Sequence, residues 1–211
     1  MARLKIQTFP DVVLSQVAQP FERVEKDVRR LVDDMLETMY NAPGVGLAAN
    51  QVGILKRILV VDTGFEMEDL PEDGSVPEGA EVVAGALISN KKPIVVINPE
   101  IVLKEAKIVF SEGCLSVPGF NAEVTRSDKI KIRYLDVDGV ARELRAEGFQ
   151  AVAFQHEIDH LDGKLFIDRL NPLKKKMVKR RLLEERKERD ERGDDFPEPR
   201  QPRGSRRSKG L

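Results

Sequence analysis

Residues 155–160 read Gln155-His156-Glu157-Ile158-Asp159-His160, and the rest of the chain is best read outward from them. His156 and His160 are four apart, so on a helix they stand one turn above the other on one face. Two imidazoles so placed reach a single metal ion, and the carboxylate between them reaches water that such an ion activates. The chain has two histidines, and both fall here. Two ordinary histidines of an amphipathic helix rarely meet this spacing with Glu in second place, which weakens the plainer reading. The surrounding residues 148–162 read as a helix stopped by Gly163. Phe149, Val152 and Ala153 continue the face of His156 and His160, so the metal-facing side is predicted to be the buried side.

The third ligand separates the possible site types. Endopeptidases with this helical motif use a further His or Glu downstream, and no third His exists. A structural zinc site needs four protein ligands, but one cysteine alone remains to join two histidines. That residue, Cys114, lies in Glu112-Gly113-Cys114-Leu115-Ser116, a turn-like segment after a β-rich run. A thiolate there completes a two-His, one-Cys site with an open position, as catalysis requires. Taken by itself, Cys114 reads more readily as a packing cysteine, since free Cys is among the most buried residue types. Being single, it forms no internal disulfide.

Upstream, residues 24–40 carry Val28, Leu31, Val32, Met35, Leu36 and Met39 at helical spacing, ended by Asn41-Ala42-Pro43-Gly44. A Gly-rich stretch at 44–53 precedes ILVVD (58–62), a buried strand. Residues 63–92 form a long acidic stretch read as a solvated loop, with EVVAGALI as a short strand inside it. IVVIN (94–98), IVLKEAKIVF (101–110) and the alternating KIKIRYL (129–135) read as strands, and Asp138-Gly139 as a hairpin turn into VARELRA. The predicted class is α+β: mostly antiparallel strands around a central metal-binding helix, with an N-terminal and a C-terminal helix.

Charge divides the chain. Residues 1–171 hold 20 Lys+Arg and 28 Asp+Glu, whereas 172–211 hold 15 and 8. Asn171-Pro172 is a helix start, with Asn as N-cap and Pro at the first helical position. Leu173, Met177, Val178, Leu182 and Leu183 give a partial apolar stripe among Lys174, Lys175, Lys176, Lys179, Arg180 and Arg181. The expected organisation is a catalytic domain at 1–171, a basic helix at 172–190 and a disordered charged tail at 191–211. No apolar run approaches the ~20 residues of a membrane span, and the N-terminus has no signal-peptide pattern. A cytoplasmic location is the expectation.

Three segments, GVGLAANQVG (44–53), EGCLS (112–116) and QHEIDH (155–160), resemble in order and spacing the signature motifs of peptide deformylases. PDVVLSQVAQP (10–20) and INPEI (97–101) are also similar to that family, and the resemblance covers roughly residues 4–173. It implies hydrolysis of the formyl group from the N-terminal formyl-methionine of nascent polypeptides. It implies that Cys114, His156 and His160 bind one divalent ion, natively Fe²⁺ in most members, with Zn²⁺, Ni²⁺ or Co²⁺ able to substitute. Glu157 would act as general base and then acid, and the Gln51 side chain and Leu115 backbone N–H would stabilise the oxyanion. Backbone groups of Val45, Gly46 and Gly113 would hold the substrate extended; Val45, Phe110, Phe149, Val152 and Ala153 would line the methionine pocket. By its charge run alone the C-terminal helix reads as a solvated surface helix; the resemblance implies instead that it would dock on ribosomal RNA near the nascent-chain exit.

Two features depart from the family pattern. Asn121 stands where many members carry a basic residue, which removes an expected charged contact to the distal substrate chain. The acidic segment at 63–92 is longer than in the simplest members. The competing readings are a zinc endopeptidase and a non-catalytic, ribosome-binding relative. The missing downstream ligand opposes the first, and the intact Cys114, His156, Glu157 and Gln51 oppose the second.

Overall fold

The computed structural model describes residues 2–71, 73 and 75–192. A 3₁₀ turn at Val12–Ser15 leads to helix α1 (Asp27–Asn41), strand β1 (Gly46–Ala48), a 3₁₀ turn at Ala49–Val52 and strand β2 (Ile58–Val61). Eight strands follow: β3 (Glu66–Asp69), β4 (Glu81–Val83), β5 (Ala86–Ser89), β6 (Ile94–Glu105), β7 (Ile108–Cys114), β8 (Val117–Arg126), β9 (Lys129–Leu135) and β10 (Ala141–Glu147). Helix α2 (Gly148–Leu161), a 3₁₀ turn at Phe166–Arg169 and helix α3 (Pro172–Arg192) complete the order. The strands form a five-stranded sheet in the order β1-β2-β6-β9-β10, a three-stranded sheet in the order β3-β5-β4 and the hairpin β7–β8. Every pairing within the three is antiparallel. Helices mix with antiparallel strands as the sequence pattern predicts.

The five-stranded sheet lies between α1 and α2, and the period of two along β2 shows how. Leu59 and Val61 join Ile132, Phe154 and Leu161 in one buried cluster. Ile58 and Val60 join Val32, Met35 and Met39 in another. Alternate residues of one strand therefore serve opposite faces, and each face takes one helix. A third cluster joins the β7–β8 hairpin to the C-terminal elements through Val117, Val124, Phe166 and Val178.

Helix α2 is the element that places the site. Residues 151–161 are all buried, including Gln155, His156, Glu157, Asp159 and His160. A helix with no wet face and five polar side chains must satisfy them internally. It ends where Gly163 adopts φ +68°; a Cβ there would stand 2.6 Å from the Ser15 carbonyl oxygen, so glycine alone allows the N-terminal segment to cross.

The structure corrects several expectations. The acidic segment is no structureless loop: β3, β4 and β5 lie in it as a sheet, with Ala86, Leu87 and Ile88 buried and Ile88 packed in the α1 cluster. EVVAGALI is a hairpin of two strands that turns on Ala84 (φ 51°) and Gly85 (φ 82°). Positive φ at both central residues matches the twist of paired strands, but Ala-Gly is a weak turn signal, and surrounding carboxylates disguise the apolar triplet. The runs 94–98 and 101–110 divide elsewhere: β6 is one strand of 12 residues, with an irregularity beside Asn98 (φ 51°). Cys114 is the last residue of β7, not part of a following turn.

Helix α3 begins at the expected cap, with Asn171 Oδ1 accepting the Lys174 N–H at 2.9 Å, and runs to Arg192. Its inward stripe differs from the predicted one. Leu173, Met177 and Leu183 are exposed, whereas Val178 is buried and Leu182 is half-buried against the body. Of the predicted tail, residues 191 and 192 belong to the helix, and the remainder lies outside the described residues. Among the described residues no helix is long and apolar enough to cross a membrane.

Candidate metal centre and substrate cleft

One turn of α2 brings His156 Nε2 and His160 Nε2 to 3.3 Å from each other. The end of β7 sets Cys114 Sγ 3.2 Å from His160 Nε2. All three ligand atoms lie within 4.8 Å of one another. Two imidazole nitrogens and a sulfur converging on one point form a donor set for a divalent transition metal. His160 Nδ1 and Glu157 Oε2 are buried without a hydrogen-bond partner among the described residues. Burial holds His160 well below the usual imidazole range, which keeps it in the neutral form that a ligand needs.

His156 is held from behind. Its Nδ1 lies 2.7 Å from Glu112 Oε2, so the ring proton sits on Nδ1 and the Nε2 lone pair faces Cys114 and His160. Glu112 also accepts Arg126 Nε at 2.6 Å and Nη2 at 2.9 Å, a bidentate pair. Arg126 Nη1 reaches Asp159, whose carboxylate also takes Arg169. Glu112, Arg126 and Asp159 are each under 5% exposed. Burial pushes the carboxyls of Glu112 and Asp159 up, but the ion pairs and hydrogen bonds outweigh it and hold both below the usual range. Glu112 and Asp159 lie inside the quoted motifs, yet nothing in the sequence pattern marks them as supports. Arg126 carries no sequence signal at all, because its partners come from two other elements.

Glu157 lies against Gly46: a Cβ at position 46 would stand 2.6 Å from Glu157 Oε1. The glycine expected to admit a substrate backbone is thus already required by a side chain of the protein itself. Burial pushes the Glu157 carboxyl up to about 7, and the charge of Glu112 adds to it. A carboxyl there exchanges a proton near neutral pH. Gln51 is oriented by its own loop: Oε1 accepts the Ala48 N–H at 2.8 Å, which turns Nε2 toward Ser116 Oγ (3.2 Å) and Cys114 Sγ (3.7 Å). The amide donor therefore faces the centre.

A cavity of about 960 Å³ opens over these groups. Every site residue expected from the sequence borders it except His160, which is fully buried beneath. Gln51, Leu115, Cys114, His156 and Glu157 form the chemical end. Val45, Val152, Ala153 and the stacked rings of Phe110 and Phe149, 5.2 Å apart, form an apolar recess. Gly46 on β1 and Gly113 on β7 face the cavity from two sides. Among the described residues β1 pairs only with β2, and β7 only with β8, so each leaves one strand edge unpaired. Unlike the other walls, one part of the rim was not expected: Arg181, Glu185 and Arg189 of α3 also border the cavity.

A thiol and two helical imidazoles lie beside a buried carboxylate and open on an apolar cleft, a donor set that could hold one metal ion. The model of the polypeptide deformylase family matches residues 3–176. A peptide deformylase of Alkalilimnicola ehrlichii is 47% identical over 182 residues, 86% of this chain and 90% of that protein. The crystal structure of a peptide deformylase from Legionella pneumophila superposes with a TM-score of 0.72 at 39% identity, covering 90% of this chain and 98% of that one. The Ehrlichia chaffeensis peptide deformylase in complex with actinonin gives 0.71 at 39% identity, covering 88% and 98%. The chain belongs to the polypeptide deformylase family; it has the family's fold and is a hydrolase that removes the formyl group from nascent peptides.

Proposed function

We propose that this chain hydrolyses the N-formyl group of formyl-methionyl nascent polypeptides, releasing formate, with the groups around Cys114 as its machinery. The observation that carries the assignment of roles is the convergence of Glu157, the Gln51 amide and the three ligand atoms at one end of one cavity. Cys114, His156 and His160 would hold one divalent ion, Fe²⁺ by the family resemblance, with Zn²⁺, Ni²⁺ or Co²⁺ as substitutes. Such an ion supplies Lewis acidity, lowering the pKa of water toward neutrality and polarising a carbonyl oxygen.

The protein's own residues supply the rest. Glu157 takes a proton from the attacking water and returns it to the departing amine. The C–N bond of the formamide breaks; the products are formate and a free N-terminus. The Gln51 Nε2–H and the Leu115 backbone N–H donate to the oxygen that gains charge during attack; one such donor is worth about 3 kcal/mol. The substrate backbone lies extended between the unpaired edges at Val45, Gly46 and Gly113, completing both ladders. Its methionine side chain enters the recess of Val45, Phe110, Phe149, Val152 and Ala153, where a flexible thioether adapts to apolar walls. Actinonin, with which the Ehrlichia chaffeensis relative forms a complex, is expected to bind this chain as well.

Residues 1–171 form the catalytic unit, acting in the cytoplasm. The exposed lysines of α3, Lys174 and Lys176 among them, dock on ribosomal RNA. Replacing both by Glu should weaken ribosome binding, and wild-type binding should fall steeply with salt; equal affinity at low salt would remove the docking role. The principal test is formate release from formyl-Met-Ala-Ser by the metal-loaded protein. Rapid release that favours Met over Asp or Lys after the formyl group is expected. Equal rates for all three would contradict the apolar recess, and no release would overturn the assignment.

A further inference from the structure

The inward face of α3 changes character along its length. Val178, Leu182, Glu185 and Arg189 recur at helical spacing, and none is fully exposed. Val178 and Leu182 rest on the cluster that contains Phe120, Phe166 and Cys114, so the helix is anchored next to the centre. The next two positions, Glu185 and Arg189, are charged, and with Arg181 they border the substrate cavity. A helix serving only as a solvated surface has no reason to send these groups to a cleft.

The charge inventory of the cleft shows what they add. The other charged groups on its wall are the carboxylates of Glu112 and Glu157, together with His156. Among the described residues, arginine side chains reach the wall from α3 alone. Arg181 Nε donates to Glu185 Oε1 at 2.7 Å, and its guanidinium has further N–H donors in a planar fork. A planar fork matches a carboxylate in bidentate geometry.

We infer that Arg181, oriented by Glu185, is a specificity-determining residue that recognises a carboxylate on the distal part of the substrate peptide, a few residues beyond the methionine. The inference rests on the deformylase reading of the cleft. Arg181 touches no reacting group; it acts on the affinity for the chain, not on the chemical step. Glu185 competes with the incoming carboxylate, so the two residues have opposite effects.

The experiment measures formate release by the metal-loaded, full-length protein from four peptides. These are formyl-Met-Ala-Ser-Glu-amide, formyl-Met-Ala-Ser-Lys-amide, and formyl-Met-Ala-Ser-Ala with either a free or an amidated C-terminus. An exposed ion pair predicts a preference for the Glu over the Lys peptide of about two- to fivefold in kcat/KM, carried by KM. The preference should shrink at high salt. Arg181→Ala should abolish it, Arg181→Glu should invert it, and Glu185→Gln should enlarge it. A response to the free terminus but not to the Glu side chain places the recognised carboxylate at the chain end and still supports the inference. Formate release with the same Glu-to-Lys ratio in wild type and Arg181→Ala overturns it and leaves the deformylase reading intact. No formate from any peptide overturns that reading, and this inference with it.

Discussion

Helices α2 and α3 are both rich in polar residues, and the fold uses them in opposite ways. In α2 an unbroken run, residues 151–161, is buried; its His156 is held by Glu112 and its Asp159 by Arg126 and Arg169. In α3 Val178 is the buried residue, and its charges pair along the surface as Arg180–Glu184, Arg181–Glu185, Arg186–Asp190 and Lys187–Glu191. A charge inside the protein has no water to fall back on, so removing its partner strands it. An exposed pair is screened, and its loss is nearly neutral. The first helix therefore tolerates little change, and the second tolerates more.

The sharpest difference is expected at Glu157. Glu157→Ala should keep the fold and the metal but lower kcat by about 10²–10⁴-fold, the usual range for acid–base catalysis. Metal loss without a separate effect on rate would make Glu157 a structural residue. Next comes Arg126. Arg126→Ala leaves Glu112 with His156 and Asp159 with the half-exposed Arg169 as their remaining partners, and should cost about 3–5 kcal/mol in denaturant unfolding. A cost no larger than that of a surface pair would erase the contrast between the helices.

A moderate effect is expected where α3 meets the body. Asp168 accepts Lys175 and Lys179 at 2.9 and 2.8 Å, as well as the Leu165 N–H. Burial raises its carboxyl, but Lys179, the Leu165 N–H and Lys175 outweigh burial and hold it below its ordinary 3.8. A depressed carboxyl pKa gives stability that is present above the unfolded value and is lost as pH falls through the folded one. The protection of α3 amides, with exchange corrected for the intrinsic rate at each pH, should therefore fall as pH drops below about 4. In Asp168→Asn the helix should already exchange faster at pH 5 and respond less to acid. Identical profiles would show that the contact does not anchor the helix. The smallest effect is predicted for Glu184→Ala, at most about 0.5 kcal/mol in thermal unfolding; a larger loss would mean that α3 pairs are not simply screened by solvent.

The same contrast explains what the sequence made legible. His156, Glu157 and His160 were readable because helical spacing and residue type together specify the constellation. Alternation in KIKIRYL likewise showed Ile130 and Ile132 facing inward, and both are buried. Arg126 was not readable, since an arginine on a strand ordinarily faces water and its carboxylates come from β7 and α2. Nor was the three-stranded sheet, whose apolar triplet is short and whose turn is Ala-Gly. The stripe of α3 was misassigned because Leu173, Met177 and Leu183 are apolar yet exposed, whereas Glu185 and Arg189 turn inward toward a cavity that only the tertiary fold creates.

The central claim is that Cys114, His156 and His160 together hold the ion on which hydrolysis depends. Metal content per chain, measured on wild type and Cys114→Ser purified side by side under argon, tests it most directly. A neutral hydroxyl is a poor substitute for a thiolate. The account predicts close to one divalent ion per wild-type chain, and a far lower content in the variant with formate release reduced in parallel. Full occupancy and undiminished formate release in Cys114→Ser would contradict it.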